Sequence, residues 1–382
     1  MYIRSTLLPI LGFSATGMAA YVLEDDYGTS TSFFDKFSFF TDPDPTGGFV
    51  SYVDRNTAQD TGLIFANGAV YMGVDHTNVA GSSGRQSVRL TSTKSYTHGL
   101  IILDLEHMPG GICGTWPAFW MLGPDWPSHG EIDIIEGVNT QPVNQMTLHS
   151  TDGCSIANGG FTGTLLTSNC YDYAPSQDTN AGCGIAATSS RTYGTGFNNA
   201  GGGIYATEWT SAGISIWFFP RGSTPTDIRA GTPNPTNWGP PLAKFAPGSC
   251  SFDAHFSEMQ IVCPFRPRSI CPPWVLPRAD RWKTNKVFDT TFCGGWAGSV
   301  WGSGSCASVA PSCQDFVANN PSAFREAYWL IESLKVYQDA PGESNNMRMN
   351  ATSHLNVQLP RKGGRRSPGL HGRGFLEGTG KW

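Results

Sequence analysis

Charged residues are scarce in this sequence, and long hydrophobic runs are absent. Asp, Glu, Lys and Arg account for 14% of the 382 residues, against roughly 25% in an average soluble domain. No window comes near the ~20 apolar residues that a membrane-spanning helix needs, so we expect no membrane partner. The net charge of −5 also argues against a dedicated nucleic-acid-binding protein.

Zinc-binding cysteine spacings are missing as well. The sequence has 10 cysteines, but it contains no C-x-x-C pair and no histidine pair spaced for zinc beside them. We therefore predict disulfide bonds and no metal site. The connectivity of these bonds cannot be derived from the sequence.

The N-terminal segment predicts export from the cell. Arg4 precedes a short apolar run from Leu7 to Phe13, and the sequence Gly17-Met18-Ala19 fits a small-x-small cleavage site. We interpret residues 1–20 as a signal peptide, with a buried N-terminal segment as the alternative. A secreted protein, extracellular or associated with the cell wall, also meets the oxidising conditions in which disulfides persist.

What the sequence does contain is a series of short β-type segments. They are rich in Val, Ile, Phe, Tyr, Trp and Thr, and clusters of Gly, Asn, Asp and Pro separate them, as is typical of a β-sandwich. The clearest are Gly68–Val74, Ser87–Ser92, Leu100–Leu105, Glu131–Glu136, Met146–His149, Gly213–Phe219 and Trp329–Val336. We predict an all-β fold over residues 21–338, with two packed antiparallel sheets of the jelly-roll type. One modest helix is expected at Ser308–Asn319.

Two stretches differ in composition from the rest of the chain. Residues 262–286 form a basic insert, with six basic residues against one acidic residue and several prolines. Residues 339–382 carry seven basic residues against three acidic ones and show no periodic apolar pattern. We predict that this second stretch is a disordered tail.

The strongest chemical signal is the segment Glu131-Ile-Asp-Ile-Ile-Glu136. Three carboxylates in a β-forming run repel one another and are costly to bury, although an exposed polar strand face is the alternative. On a regular strand Glu131 and Asp133 share a face and Glu136 points the other way. A one-residue β-bulge would bring all three to one face, where the outer side chains could approach the ~5–5.5 Å spacing of a retaining glycosidase.

Aromatic residues and a histidine lie close to this segment in the sequence. Trp116, Trp120 and Trp126 precede it. Because indole rings stack on the C–H faces of sugars, they indicate a carbohydrate cleft, with a Trp-rich core as the alternative. His149 follows Glu136 in the next β-type segment, and an isolated histidine of this kind is more often structural than functional.

The segment from Gly114 to Asn139, GTWPAFWMLGPDWPSHGEIDIIEGVN, resembles the active-site segment of glycoside hydrolase family 16, specifically the fungal laminarinase-like endo-1,3(4)-β-glucanases. The E-x-D-x-x-E pattern is the bulged variant of that family. The resemblance covers nearly all of residues 21–338 except the basic insert. It is carried by GRQSVR (84–89), NQMTLHS (144–150), YGTGFN (193–198), GGGIYATEWT (201–210), IWFFPRG (216–222), FVANNPSAF (316–324) and YWLIESLKVYQ (328–338).

The resemblance implies a concanavalin-like β-jelly-roll with an open cleft across its concave sheet. It also implies roles for individual residues: Glu131 matches the nucleophile and Glu136 the acid/base, with Asp133 between them tuning their ionisation. His149 matches the histidine near the nucleophile. The remaining matches are expected to bind glucose units or to border the cleft, and they are Trp116, Trp120, Trp126, Arg85 and Arg89.

In such an enzyme Glu136 is protonated near neutral pH, while Glu131 is expected to stay ionised for attack on the anomeric carbon. The implied partner is a β-1,3-glucan or a mixed β-1,3-1,4-glucan, with no cofactor, no metal and no nucleic acid, and we expect a monomer. Two alternatives use the same features. They are a cell-wall glucan transglycosylase and a non-catalytic glucan-binding lectin, and the lectin would not need all three carboxylates.

The basic insert interrupts one of the family-like stretches. Family members read something like MQIVFDTTFCG in this region, and removal of Val262–Lys286 restores MQIVFDTTFC in this sequence. A translated, unspliced intron and a genuine loop insertion both explain the segment. Eight cysteines lie outside it, an even number that allows a closed set of disulfides.

Overall fold

The computed structural model describes residues 21–260 and 288–340. The predicted signal peptide, the insert and nearly all of the predicted tail lie outside these residues. The strands are β1 (Tyr21–Asp26), β2 (Phe37–Phe39), β3 (Val50–Tyr52), β4 (Ile64–Ala66), β5 (Val70–Gly73), β6 (Arg85–Ser87), β7 (Arg89–Ser92), β8 (Ser95–Tyr96), β9 (Gly99–His107), β10 (Thr115–Leu122), β11 (Glu131–Glu136), β12 (Gln145–His149), β13 (Thr164–Leu165), β14 (Cys183–Ala186), β15 (Gly203–Thr210), β16 (Gly213–Pro220), β17 (Ala243–Phe245), β18 (Met259–Gln260), β19 (Phe288–Phe292) and β20 (Tyr328–Asp339).

Helices in the described residues are short and lie between the strands. The α-helices are α1 (Arg55–Asp60), α2 (Gly194–Asn199), α3 (Thr226–Ala230), α4 (Phe252–His255) and α5 (Cys313–Asn319). Short 3-10 helices are found at Thr31–Lys36, Ser190–Thr192, Pro235–Asn237, Trp301–Ser303, Ser305–Ser308 and Pro321–Phe324, and a short π-helix at Gly294–Gly298. None of the described helices has the length and hydropathy to span a bilayer.

Two antiparallel sheets make up the body of the fold, as predicted. The first sheet has the strand order β17-β16-β15-β9-β20-β5-β4, with β1 also paired to β20. The second has the order β13-β14-β12-β11-β10-β19-β7-β2, with β18 paired to β10 and to β8. The segments predicted to be strands all contain strands of these two sheets, and the ten-stranded second sheet includes β11 with its carboxylates.

The hydrophobic core lies between the sheets, because alternate side chains of the facing strands point toward each other. Leu103 of β9 and Leu334 of β20 are fully buried in it, together with Phe119 and Met121 of β10. The other face of β10 presents a separate apolar cluster of Ala118, Trp120 and Leu122, against which Trp126 packs. The ten-stranded sheet therefore has one face in the core and one face available for a site.

The predicted helix at Ser308–Asn319 is shorter in the structure. Only Cys313–Asn319 is α-helical, and a separate 3-10 turn ends at Ser308. The helix begins where it does because the side chain of Ser312 accepts a hydrogen bond from the backbone N–H of Asp315, which is the N-capping arrangement.

All eight cysteines in the described residues form disulfides, which confirms that prediction and supplies the pairing. The bonds are Cys113–Cys306, Cys154–Cys250, Cys170–Cys183 and Cys293–Cys313. Cys263 and Cys271 belong to the insert and lie outside the described residues. Each bond ties down a loop between strands, where a folded chain has few backbone hydrogen bonds of its own.

Candidate active site

A β-bulge in β11 brings the three predicted carboxylates to one face of the ten-stranded sheet. Phe119 of β10 pairs with Ile135, but the next residue, Trp120, pairs with Asp133. The register against β12 shifts at the same place. Ile134 and Ile135 are both fully buried, so two consecutive side chains point away from the cleft. Glu136 therefore points to the same face as Glu131 and Asp133. The predicted bulge is therefore confirmed.

The strand β12 adds His149 to this face. His149 lies directly opposite Glu131 in the β11–β12 register, and its Nε2 is 3.3 Å from Oδ2 of Asp133. Asp133 itself is only 1% exposed. The histidine expected near the nucleophile is thus in contact with the central carboxylate, in agreement with its predicted neighbourhood.

A fourth carboxylate, Asp172, was not predicted. Its Oδ1 lies 2.6 Å from Nδ1 of His149, and both side chains are buried. Asp172 comes from the loop between β13 and β14, and no sequence motif connects it to His149. Disulfide Cys170–Cys183 fixes that loop beside β12, but this pairing could not be derived from the sequence, so the place of Asp172 two residues after Cys170 was not a usable signal.

Trp116 lies against the carboxylate at the other end of the cluster. Its indole Nε1 donates a hydrogen bond to Oε1 of Glu136 at 2.8 Å. Trp116 also meets Trp296 edge to face, with ring centroids 5.7 Å apart. Trp296 belongs to a turn far along the chain and was missed by the sequence analysis, which considered only the tryptophans next to the carboxylates.

The other two predicted tryptophans form the apolar floor beside the carboxylates. Trp120 is 7% exposed and Trp126 packs against it. Trp120 Nε1 donates to Oδ1 of Asp289 at 3.2 Å, while the Tyr52 hydroxyl donates to the second oxygen of the same carboxylate at 2.9 Å. Asp289, on β19, was not predicted as a site residue, and burial raises its pKa to about 6 despite the nearby charge of Arg89.

Arg85 and Arg89 do not face the cleft as substrate-binding residues, and this corrects the expectation from the resemblance. Both are 0% exposed. The guanidinium of Arg85 donates to the backbone carbonyls of Asp75 and Val317, and that of Arg89 pairs with Asp44 at 3.1 Å. A buried guanidinium needs such partners, so these arginines hold segments of the fold together.

Burial and mutual repulsion control the ionisation of the cluster. Burial, followed by the charge of Asp133, raises the pKa of Glu136 to about 8, against the hydrogen bond from Trp116. The same two causes raise the pKa of Glu131 well above its usual value, while the charge of His149 opposes the rise. Burial lowers the pKa of His149, but its hydrogen bonds to Asp133 and Asp172 prevail and hold it well above the usual range.

These directions agree with a protonated Glu136 at neutral pH. They differ from the expectation that Glu131 simply stays ionised, because its surroundings also favour the neutral acid. The positive charge of His149, directly across the strand pair, is the group that stabilises the carboxylate form of Glu131. The protonation states of Glu131, Glu136 and His149 therefore depend on one another.

The described residues also contain one set of metal-type ligands away from this cluster. Ligand atoms of Cys154, Cys250 and His255 lie within 4.8 Å of one another. The two sulfurs are joined in a disulfide and offer no thiolate, which is the form that binds metal ions. This set is therefore accounted for as a disulfide with a neighbouring histidine.

The family model described as the XgeA-like, catalytic GH16 domain matches residues 37–275 and 279–337. An endo-1,3(4)-beta-glucanase of Arthroderma benhamiae is 48% identical over 340 residues, which cover 88% of this chain and 69% of that protein. The chain belongs to glycoside hydrolase family 16. The resemblance of its motifs is thereby confirmed, and its enzyme class is that of a glycoside hydrolase.

Solved structures of family 16 members have the same fold. An elongating GH family 16 beta-1,3-glucosyltransferase is 42% identical, with a TM-score of 0.71 over 83% of this chain and 100% of that one. Laminarinase 16A from Phanerochaete chrysosporium, solved with two beta-glucans in its donor and acceptor sites, is 39% identical, with a TM-score of 0.71 over 83% and 99%. The jelly-roll prediction is confirmed by this likeness.

Proposed function

We propose that this family 16 glycoside hydrolase is an endo-acting β-glucanase that cleaves β-1,3 or mixed β-1,3-1,4 glucans with retention at the anomeric carbon. The observation that carries the proposal is the bulge of β11, which gathers Glu131, Asp133 and Glu136 on one face of the sheet beside Trp116. The similarity to an endo-1,3(4)-beta-glucanase and to a laminarinase with bound beta-glucans supports the choice of substrate.

In the proposed reaction Glu136 is the acid and Glu131 the nucleophile. With a pKa of about 8, Glu136 holds a proton at neutral pH and gives it to the glycosidic oxygen as the bond to the anomeric carbon breaks. The carboxylate of Glu131 attacks that carbon and forms a glycosyl-enzyme. Glu136, now ionised, takes a proton from water, and the resulting hydroxide attack releases Glu131 and the product.

The surrounding residues have supporting roles in this scheme. Asp133 lies between the two glutamates and raises the proton affinity of both. His149 compensates that charge and favours the ionised form of Glu131. Trp116 and Trp126 offer aromatic surface for glucose rings, because sugar C–H groups pack well on indole faces.

Export from the cell is part of the proposal. Four disulfides among the described residues suit an oxidising compartment and are rare in the cytosol. They support the interpretation of residues 1–20 as a signal peptide and a place of action outside the cell or at its wall. A polysaccharide substrate, which does not enter cells, fits the same location.

A glucan transglycosylase is the second candidate, because the elongating beta-1,3-glucosyltransferase is as similar to this chain as Laminarinase 16A is. Both have a TM-score of 0.71, with sequence identities of 42% and 39%. Its first step would be the same, but a sugar hydroxyl in place of water would resolve the glycosyl-enzyme. The two candidates differ in whether new reducing ends accumulate.

The test is a time course on laminarin and on a mixed-linkage β-glucan, with reducing ends counted and products sized. A hydrolase gives a steady rise in reducing ends and short products, whereas a transglycosylase gives longer products with few new ends. Proton NMR of the first product formed decides the stereochemistry, and an initial β-anomer is expected for retention. No cleavage or transfer on either glucan, in protein whose fold is intact, would overturn the proposal.

A further inference from the structure

His149 is held by carboxylates on both of its nitrogens. Nδ1 lies 2.6 Å from Asp172, and Nε2 lies 3.3 Å from Asp133. Asp172 is 0% exposed, and His149 is 8% exposed. A neutral imidazole has one N–H and one bare nitrogen, so it would turn a lone pair toward one of the two carboxylates. Only the doubly protonated ring presents an N–H to both carboxylates.

The loop that carries Asp172 is fastened to the strand that carries His149. Cys170 is bonded to Cys183, and Cys183 pairs with Leu148 in the β12–β14 register. The side chain of Gln177 adds hydrogen bonds to the backbone oxygens of Asn169 and Gly182, at 2.8 and 2.9 Å. The position of Asp172 is therefore fixed from both ends of its loop.

Gly182 allows the loop to come this close to the ring. A Cβ built on it would meet the backbone oxygen of Leu148 at 2.4 Å and Nδ1 of His149 at 2.9 Å. Its φ of +56° also lies in the left-handed region that favours glycine. The residue that closes the loop is thus adapted to contact with the imidazole.

The titratable groups that face His149 are few. From β11 they are Asp133 and Glu131, and from the loop Asp172 is in contact. From the start of β14 and the residue before it, the described structure places Cys183, which is in a disulfide, and Gly182 beside the ring. Of these carboxylates Asp172 is the one that lies outside the strand of the proposed reaction, so it acts on the glutamates through the ring.

We propose that Asp172 is a positioning residue that, through His149, holds an N–H against Asp133 between the two glutamates. This inference rests on the proposed function for its effect on activity. Its effect on the histidine itself can be measured in the resting protein. Loss of the charge of Asp172 should leave His149 able to lose its second proton within the working pH range.

The test compares Asp172→Asn with Asp178→Asn. Both remove one negative charge from the same loop, but Asp178 is exposed and serves as the matched control. Nitrogen-15 NMR of labelled histidine follows the protonation of His149, whose signal is identified by its loss in His149→Gln. Activity on laminarin is measured from pH 4 to pH 9 for the same proteins.

In Asp172→Asn we expect His149 to titrate near neutral pH, and kcat to fall about tenfold at pH 7 with a new inflection in the pH profile, as part of the ~10²–10⁴ that acid–base catalysis contributes. Asp178→Asn should match the wild type.

The role of Asp172 is overturned if His149 stays doubly protonated and the pH profile is unchanged. Should the Asn variant unfold, Asp172→Glu keeps the charge, and a neutral His149 in that variant would also overturn it. If the wild type cleaves no β-glucan, the proposed function fails, whereas the NMR titration still decides this inference.

A second observation concerns the two strands on either side of the basic insert. β18 and β19 both pair with β10, antiparallel and along the same edge. Phe292 faces Thr115, and the pairing advances one residue at a time until Phe288 faces Phe119. Three residues further along β10, Leu122 would then face position 285. It faces Gln260, which is 25 positions earlier.

This offset equals the length of the segment 262–286. Without those residues, β18 and β19 are one strand in unbroken register with β10. The side chains agree with this, because Met259 and Phe288 are both 0% exposed. In the shortened strand Ile261 would lie two residues after Met259 and two residues before Phe288, so all three would be on the core face. Ile261 would face Met121, which is also fully buried. Removal of 261–285 would keep the offset but would put Lys286 at that core position.

We infer that β18 and β19 are halves of a single strand, and that the active form of the protein lacks residues 262–286. A side chain alternates between faces along a strand, so the length of a segment removed from a strand decides whether its register and faces survive. The retained sequence would read MQIVFDTTF, with an apolar side chain at each core-facing position from Met259 to Phe288.

The test compares the full chain with two deletions, of residues 262–286 and of residues 262–285. The shorter deletion leaves Lys286 in place and shifts the register by one, so it controls for removal of the basic segment itself. We expect the 25-residue deletion to unfold at the highest temperature, at least about 3 °C above the others, with the highest specific activity. An equally stable and active full chain overturns the inference, as does a peptide from within 262–286 in protein isolated from its natural source.

Discussion

Trp116 donates its indole N–H to Glu136 at 2.8 Å, so the proposed acid is in direct contact with a residue of the cleft. A hydrogen bond to a carboxylate oxygen stabilises the ionised form. This contact therefore lowers the pKa of Glu136, while burial and Asp133 raise it to about 8. The strength of the acid is set by the balance between the two.

Trp116→Phe should move the alkaline limb of the pH–activity profile to higher pH. Phenylalanine keeps an aromatic ring but has no N–H, so the carboxylate of Glu136 loses a donor and its pKa rises. The protonated acid then persists to higher pH. The measurement is kcat/KM on laminarin from pH 5 to pH 10. A limb that stays in place, or moves to lower pH, would show that this hydrogen bond does not control the acid.

The roles of the two glutamates can be separated with azide. Glu131→Ala should lower activity on laminarin by about 10⁴ or more because the nucleophile is lost, and Glu136→Ala by about 10²–10⁴. With an aryl glucoside whose leaving group needs no proton, azide should rescue both variants. The product should be an α-glycosyl azide for Glu131→Ala, since azide replaces the nucleophile, and a β-glycosyl azide for Glu136→Ala, since azide replaces water. Reversed products would exchange the two roles.

Much of this site could be predicted from one short segment. Two adjacent isoleucines between Asp133 and Glu136 cannot alternate in the usual way if both are to be buried, and the structure resolves this with a bulge at Ile134 and Ile135. The strand, its face and its three acids follow from local pattern and hydrophobic burial. The two-sheet fold follows from the same kind of alternation in the other strands.

Residues supplied by loops could not be predicted in this way. Asp172 and Trp296 reach the cluster because disulfides and turns fold their loops back onto the sheet, and no local pattern records that distance. The expectation that Arg85 and Arg89 face the cleft was wrong for a different reason. Arginine is rarely fully buried, so nothing in the sequence indicates that the guanidiniums of Arg85 and Arg89 lie inside the fold.

Gly182→Ala should lower both the stability of the fold and the activity of the site. Alanine at positive φ costs about 1–2 kcal/mol, and here its Cβ would also press on Leu148 and on His149. Gly153→Ala is the matched control, because Gly153 also has positive φ but its Cβ would meet only His255, at 3.7 Å or more. Backbone strain should lower the free energy of unfolding of both variants, and the loss should be larger for Gly182→Ala because its Cβ also meets the backbone oxygen of Leu148. We expect kcat to be about tenfold lower only for Gly182→Ala. Equal activity in the two variants would contradict the contact with His149.

Arg85→Met should weaken the fold and leave substrate binding unchanged. It removes the donors to buried carbonyls of Asp75 and Val317, at a cost of about 3 kcal/mol in the free energy of unfolding for several unpaired groups. Urea unfolding gives the stability, and KM on laminarin gives the binding. Arg191→Met, at an exposed arginine, should change neither. A raised KM with unchanged stability would show instead that Arg85 takes part in substrate binding.

Two disulfides of similar loop length should have different effects on His149. The bonded cysteines are 13 residues apart in Cys170–Cys183 and 20 apart in Cys293–Cys313, so the loss of either bond should cost about 3 kcal/mol in the free energy of unfolding. Only the first bond holds the loop of Asp172 beside β12.

The double variants Cys170→Ser/Cys183→Ser and Cys293→Ser/Cys313→Ser are compared by thermal unfolding and by the NMR titration of His149. We expect similar losses of stability, with the titration of His149 moved toward neutral pH in the first variant alone. If both variants keep His149 doubly protonated, the loop holds Asp172 in place without its disulfide, and the anchoring role of that bond is refuted.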